Sequence, residues 1–425
     1  MKLKPASRRR FLKEGAAFAG LAVGARSVSG QTLGSGPAHD QGMALAFGER
    51  SRFAKLLRIP NTVIGAMGLH GDEHGLGART PLSALTGTIT PSALHYVSSH
   101  GNAPPDIDPH EHRLMIYGMV DRPLVLSMDE LMRLPAVTRI HYIECVVNGP
   151  HPKAKTLDDS QGMLACSEWT GVPLSVLLKE VGVQAGANWV MGEGADATKI
   201  STAMPLGKAM DDALVAYGQN GEPVRPHQGF PLRLVVPGFQ GKYHVKWLRF
   251  IKVIDRPYMT YWEKHHYLGA EARSEPPDTN RRLGYNEHLR GKGVFLEQGP
   301  KSVITFPSGE QRLPNRGYYT ISGLAWSGCG AVRRVEVSTD GGKSWNDAEI
   351  EGPAHRIALT RFTAPLTWNG GEAVLQSRCT DDKGQVQPTA AEHVSFWGGS
   401  GSAAPHNNSI QPWRVTDDGT IRSAL

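Results

Sequence analysis

The pattern of apolar residues changes character near residue 300, and that change limits what the chain can fold into. From Ser302 to about Trp397 the signals are all-β. Val335-Glu336-Val337 alternates, Thr339-Asp340-Gly341-Gly342 supplies a hairpin turn, and Ser344-Trp345 resumes. Ala373 to Cys379 reads as a further strand. Short alternating strands broken by turn signals suit two packed sheets, because each strand buries one face. An immunoglobulin-like β-sandwich over residues 297–400 is therefore expected, with a Gly/Ser/Asn-rich tail at 401–425 ending in an extended segment.

Before residue 300 strands and helices mix. Arg113 to Gly118 reads as a strand, and Met128-Asp129-Glu130-Leu131 opens a short helix. Ile140 to Cys145 is a strand that ends at a cysteine. Leu174, Leu177, Leu178 and Val181 form one apolar stripe at helical spacing, with Pro173 ahead and Gly182 behind. Leu232 to Val236 reads as a buried strand closed by Pro237-Gly238. This mixed domain is expected over 81–290, after an extended leading segment at 31–80. Residues from about 268 to 300 are charged and irregular, as in a linker.

The first residues stand apart. Ser7-Arg8-Arg9-Arg10-Phe11-Leu12-Lys13 precedes a weakly apolar run from Gly15 to Gly24, the layout of a twin-arginine signal. Residues 1–30 are expected to be that signal, with cleavage near Ala25 to Gln31 and a periplasmic destination. The bland alternative is a basic disordered arm. Residues 1–30 hold Lys2, Lys4, Arg8, Arg9, Arg10, Lys13 and Arg26 against Glu14, which equals the whole chain's net +6. The remainder is near neutral, so nothing supports nucleic-acid binding. No apolar run reaches the length of a membrane span.

The cysteines are Cys145, Cys166, Cys329 and Cys379. No C-x-x-C occurs, so zinc ribbons, thioredoxin chemistry and covalent haem on this chain are unsupported.

Several central segments, in order, resemble the sulfite-oxidase family of molybdenum enzymes. Ile143-Glu144-Cys145-Val146-Val147-Asn148 is similar to the family's C-x-G-N turn. Glu168-Trp169-Thr170-Gly171-Val172-Pro173-Leu174 follows. The stretch from Tyr217 to Leu248 carries A-Y-G-Q-N-G-E-P, H-Q-G-F-P-L-R-L-V-V-P-G and H-V-K-W-L. Ala325-Trp326-Ser327-Gly328 and S-T-D-G-G-K-S-W add to it in the C-terminal region. The resemblance covers roughly residues 80–400. It implies an α+β chain: a mixed α/β sulfite-oxidase-type molybdopterin domain followed by the immunoglobulin-like sandwich, which pairs two copies into a homodimer.

The implied cofactor is molybdenum–molybdopterin. Cys145 would be the metal's thiolate, a soft ligand in a turn at a strand end. Its alternative is a disulfide with Cys166. Tyr217 matches the family's active-site tyrosine, and its alternative is an ordinary half-buried residue at a helix end. Cofactor binding carries over to Tyr96, Val97, Ser98, Ser99 and His100, to Asp196, to His227 and Arg233, and to His244, Val245 and Lys246. The bland alternative for these is a satisfied loop histidine or a surface cation. His110, His112, His265 and His266 are assigned to surface or supporting roles. Cys166 is expected to be free or buried, Cys379 to sit in the sandwich core, and Cys329 has no assigned role.

The chain departs from sulfite oxidases where they carry arginines. Ser98 stands at one such place, Gly149-Pro150 at a pair, and Gly398-Gly399-Ser400 at another. Removing one partner of a buried charge pair costs about 2–5 kcal/mol, so free sulfite should be held poorly. The pattern is similar to the molybdenum subunit of sulfane dehydrogenases, through Pro104 to Pro109, the insert between Cys145 and Trp169, and His406 to Arg414. There the substrate is sulfane sulfur, held as a persulfide on a sulfur-carrier protein. The resemblance implies oxidation with oxygen from water, and electrons passing singly to a separate c-type cytochrome subunit. Alternatives are a sulfite:cytochrome c oxidoreductase, an exported non-catalytic binding protein, and a peptide-methionine-sulfoxide-reductase-like enzyme.

Overall fold

The computed structural model describes residues 56–60, 77–99, 103–258, 297–397 and 406–425. The expected signal, the linker as far as residue 296, His100, His265, His266 and Gly398-Gly399-Ser400 lie outside the described residues.

The first domain has strands β1 (Ile59–Pro60), β2 (Ala78–Arg79), β3 (Arg113–Gly118), β4 (Leu124–Ser127), β5 (Val137–Glu144), β6 (Leu164–Pro173), β7 (Trp189–Gly194), β8 (Ser201–Pro205), β9 (Leu214–Gln219), β10 (Glu222–Pro223), β11 (Arg233–Val235) and β12 (Leu248–Ile254). Its helices are α1 (Met128–Met132), α2 (Leu157–Gln161), α3 (Leu174–Val181) and α4 (Leu206–Asp211). One sheet runs β10-β9-β6-β5, with β11 also on β9; the other runs β4-β3-β12-β7-β8.

Local chemistry sets these elements. Ser127 caps α1, its hydroxyl accepting from the Glu130 N–H while the Glu130 carboxylate returns to the Ser127 N–H. Helix α3 buries Leu174, Leu177, Leu178 and Val181, each worth about 1.5–3 kcal/mol when fully buried. It stops at Gly182, whose φ of 69° a side chain would strain. Its buried face joins Leu114, Ile116, Val190, Leu234 and Ile251 between the sheets.

The second domain has β13 (Lys301–Phe306), β14 (Gly317–Trp326), β15 (Val332–Ser338), β16 (Asn346–Asp347), β17 (Glu349–Ile350), β18 (Thr360–Trp368), β19 (Ala373–Asp381), β20 (Trp413–Val415), β21 (Ile421–Ser423) and helix α5 (Ala390–Trp397). Its sheets run β13-β14-β18-β17 and β16-β15-β19-β20-β21. This is the expected sandwich. The β15–β16 hairpin forms with its turn held by Asp340, whose carboxylate accepts from the Ser344 and Lys343 N–H groups at 2.9 and 3.0 Å. The second strand begins at Asn346, just past the expected Ser344-Trp345.

Residues 413–423 are not a separate tail. They add β20 and β21 to the sandwich, because Trp413 and Val415 are buried on its inner face. Cys379 is in that core, as expected. The same apolar cluster takes in Leu82, Tyr142, Leu164 and Cys166 of the first domain, so the two domains share one continuous core.

Candidate cofactor site

Strand β5 ends at Glu144 and the chain turns. The Asn148 N–H donates to the Cys145 carbonyl at 3.0 Å, and the Cys145 N–H donates to Met163 O at 2.9 Å. Gly241 lies against this turn. A Cβ on it would stand 3.0 Å from Glu144 O and 3.2 Å from the Cys145 Cα, so only glycine fits without displacement. Cys145 lines a cleft open to solvent.

The Cys145 thiol is partly exposed. Burial pushes its pKa up, against hydrogen bonds from the Val147 backbone and the Ser98 hydroxyl. All four cysteines are free, so the Cys145–Cys166 disulfide does not form. Cys166 is buried, which pushes its thiol up to about 12.

Opposite the thiol stand two cations. Arg233 Nη1 donates to Gln228 O at 2.9 Å, Nη2 donates to His244 O at 3.2 Å, and the guanidinium lies 4.8 Å over the Trp169 ring. Lys246 Nζ donates to Ser98 O at 2.8 Å and His227 O at 3.1 Å. Neither has a carboxylate within ion-pair distance among the described residues. Burial pulls Arg233 down to about 10. Burial, then Arg233, pulls Lys246 down to about 7, against Asp196. Trp247 beside them has a φ of 53°, and its Nε1 donates to Pro226 O at 3.0 Å.

His244 Nδ1 accepts from the Val236 N–H at 3.2 Å and Nε2 pairs with Phe239 O at 3.2 Å, so the ring is neutral. Burial, reinforced by Arg233, holds its pKa well below the usual histidine value. The Asp196 carboxylate accepts from the Ile200 N–H at 3.2 Å and from the Thr198 hydroxyl, which folds its loop onto the cleft.

Most of the expected residues meet here. Tyr96, Ser98, Ser99, Cys145, Asp196, Arg233, His244, Val245 and Lys246 all line the cleft. Val97 does not; its backbone pairs with Ala78 instead. His227 contributes its carbonyl to Lys246, while its ring is absent from the lining.

Tyr217 requires correction. It lies in strand β9, not at a helix end, and it does not line the cleft. Leu214 and Ala216 join the cluster that contacts Cys145, whereas Val215 and Tyr217 belong to the cluster on the other face. Tyr217 is the residue that the β6–β9 bulge leaves unpaired, and it packs with the cluster on the other face. His112 is buried, with Nε2 paired to Leu248 O at 2.9 Å, while His110 is exposed.

Sequence reading missed His95, Gln228, Lys242 and Trp247, all in the lining. His95 is 1 % exposed and its Nε2 has no hydrogen-bond partner among the described residues. Only its position beside Tyr96 could have flagged it. With serine at 98 the cleft is still not poor in cations, since Arg233, Lys242 and Lys246 line it with the single acid Asp196.

The donor set fits molybdenum on a pterin dithiolene. Such a group needs one soft thiolate, which Cys145 offers. Its phosphate needs cations, and buried Arg233 and half-buried Lys246 stand in the cleft with no carboxylate at ion-pair distance among the described residues. The unpaired His95 nitrogen leaves one further polar atom for the heterocycle.

Comparison with known proteins agrees. Residues 100–262 match the oxidoreductase molybdopterin binding domain, and residues 295–411 match the Mo-co oxidoreductase dimerisation domain. The chain is 34% identical to the NADH nitrate reductase of Solanum lycopersicum over 74% of this chain and 38% of the relative. It is 31% identical to mitochondrial sulfite oxidase of Mus musculus over 80% of this chain and 64% of the relative. It thus spans between about a third and two-thirds of these relatives' length. The crystal structure of the sulfane dehydrogenase SoxCD from Paracoccus pantotrophus superposes with a TM-score of 0.80 at 35% identity, over 92% of this chain and 96% of that one. The chain belongs to the sulfite-oxidase family of molybdopterin oxidoreductases.

Proposed function

We propose that this protein is the molybdenum subunit of a sulfane dehydrogenase that oxidises sulfur bound to a carrier protein and passes the electrons to a c-type cytochrome subunit. The observation that carries it is the near full-length likeness to SoxCD; Ser98 in the cleft wall with Cys145, where the resemblance to sulfite oxidases calls for arginine, is in keeping with it. When bound, the molybdenum centre supplies two-electron oxygen-atom chemistry, adding one oxygen from water to sulfur while two protons and two electrons leave.

The chain's own residues bind and orient. Cys145 would give up its proton to become a ligand, and the Ser98 hydroxyl would help to offset the charge. Arg233 and Lys246 would hold the cofactor's anionic end, and neutral His244 fixes the backbone around Arg233. A persulfide tethered to a carrier needs less charge in the cleft than a free dianion, because protein–protein contact supplies much of its positioning. Residues 1–30 would direct export of the folded, loaded protein to the periplasm, and the sandwich would pair two copies.

A second reading, sulfite oxidation, is favoured by the likeness to mitochondrial sulfite oxidase over 80% of this chain. Steady-state kinetics with the cytochrome partner separates them. The sulfane reading expects the higher kcat/KM for carrier persulfide. A higher kcat/KM for free sulfite at the same salt replaces it with sulfite dehydrogenase, and turnover only with nitrate overturns both.

A further inference from the structure

The cysteine turn is gripped from the other domain. Lys301 opens β13 and Trp326 ends β14, and the two are register partners across the strand pair. Both point at Glu144, the residue before Cys145. Lys301 Nζ donates to Glu144 Oε1 at 2.7 Å, and Trp326 Nε1 donates to Glu144 Oε2 at 2.8 Å. The same ammonium donates to Asn148 O at 2.9 Å. Asn148 Nδ2 donates to Glu144 Oε1 at 2.8 Å, and Asn148 Oδ1 accepts from the Met163 N–H at 2.9 Å. Lys301 and Glu144 are both 0 % exposed.

The loop beyond the turn is held as well. Asn407 Nδ2 donates to Pro150 O at 3.1 Å, and the Asn407 side chain fills the space that a Cβ on Gly149 would need. Gln411 pairs with Gln161 at 2.8 Å, which in turn contacts Asn148.

We propose that Glu144 and Lys301 are positioning residues for the metal thiolate, through which the sandwich domain sets the geometry of the Cys145 turn. This rests on Cys145 being the ligand. A fold could bury apolar side chains at these positions at equal or better stability, because a buried ion pair repays little of its desolvation. Its value lies in direction. One ammonium fixes the residue before the turn and the last residue of the turn, so the backbone that aims the Cys145 Sγ has no slack.

The test uses the full, cofactor-loaded chain and reads the thiolate-to-molybdenum charge-transfer absorption band, molybdenum per chain, and kcat against KM. Glu144→Leu combined with Lys301→Met removes the grip and keeps volume. It is expected to retain molybdenum, to shift or broaden the band, and to lose at least on the order of tenfold in kcat, a loss typical of supporting-shell changes, with KM little changed. Glu144→Gln leaves one acceptor oxygen for donors on two sides and takes the charge partner from buried Lys301, so it is expected to shift the band as well. Trp326→Phe, which removes one donor and keeps the ring, is expected to shift the band in the same direction, and it decides the matter if the double variant does not fold. A wild-type band and kcat in the folded variants overturn the proposal. Cys145→Ser run beside them separates the two ideas: a band that survives there overturns the ligand assignment itself.

Discussion

Lys246 donates its Nζ to the Ser98 carbonyl at 2.8 Å and to the His227 carbonyl at 3.1 Å, a half-buried ammonium that also lies 4.4 Å over the Trp247 ring. Its pKa of about 7 makes the cleft's charge depend on pH near neutrality. An anion binds the protonated form. Its affinity should therefore be full below about 7 and fall as pH rises through that value, with protons taken up on binding. Calorimetry of sulfate binding to cofactor-free protein from pH 6 to 9, over which sulfate keeps its charge, checks this. Lys246→Met should weaken binding and flatten the profile, and a flat profile in the unaltered protein refutes the assignment.

Cys145→Ser is expected to leave a folded protein, since the side chain is small and partly exposed. A hydroxyl is a harder, weaker ligand than thiolate. Outer-shell changes at metal sites cost about 10–100-fold, so losing the ligand should cost more than that in kcat. Metal analysis with turnover assays checks it, and full turnover with molybdenum bound would falsify the assignment.

Gly241→Ala probes the close approach behind the cysteine. The new methyl would meet Glu144 O, the Tyr96 hydroxyl and the Cys145 Cα at 3.0 to 3.2 Å. Forcing extra volume into packed surroundings costs about 1–3 kcal/mol. Lower cofactor content and a lower Tm are expected, read by metal analysis and thermal unfolding. An unchanged Tm would mean that the turn yields easily.

Elements with local signals were legible in the sequence. Helix α3 declares itself through its stripe and its Pro173 and Gly182 ends, and β5 through the mixed run from Ile140 that stops at the cysteine. The site was legible where motif residues are also the lining, as with Arg233, His244 and Lys246. It failed at Tyr217, because a motif names a residue and does not show the bulge at which the β6–β9 pairing skips it. It failed at His95, whose role comes from burial beside Trp169 and Arg233 and not from any spacing. The Glu144–Lys301 pair joins residues 157 apart, and nothing local marks either partner.

The export reading rests on Arg8 and Arg9, and changing both to lysine keeps the charge while removing the guanidinium pair. The altered protein should accumulate in the cytoplasm with its cofactor loaded. Cell fractionation with metal analysis checks it. Normal arrival in the periplasm would show that export does not use this signal.

Substrate choice turns on Ser98. Replacing it with arginine keeps the backbone carbonyl that Lys246 uses and adds a cation at the cleft wall near Cys145. A charge-assisted hydrogen bond contributes about 1.5–3 kcal/mol, so KM for free sulfite should fall by on the order of tenfold or more. The gain is electrostatic and should shrink as salt rises. The larger side chain also narrows the approach for a carrier's persulfide, so kcat/KM for that substrate should fall. The two specificity constants should thus move in opposite directions in Ser98→Arg. Measuring both at two salt concentrations checks this, and a parallel change in both would mean that Ser98 does not set the choice of sulfur substrate.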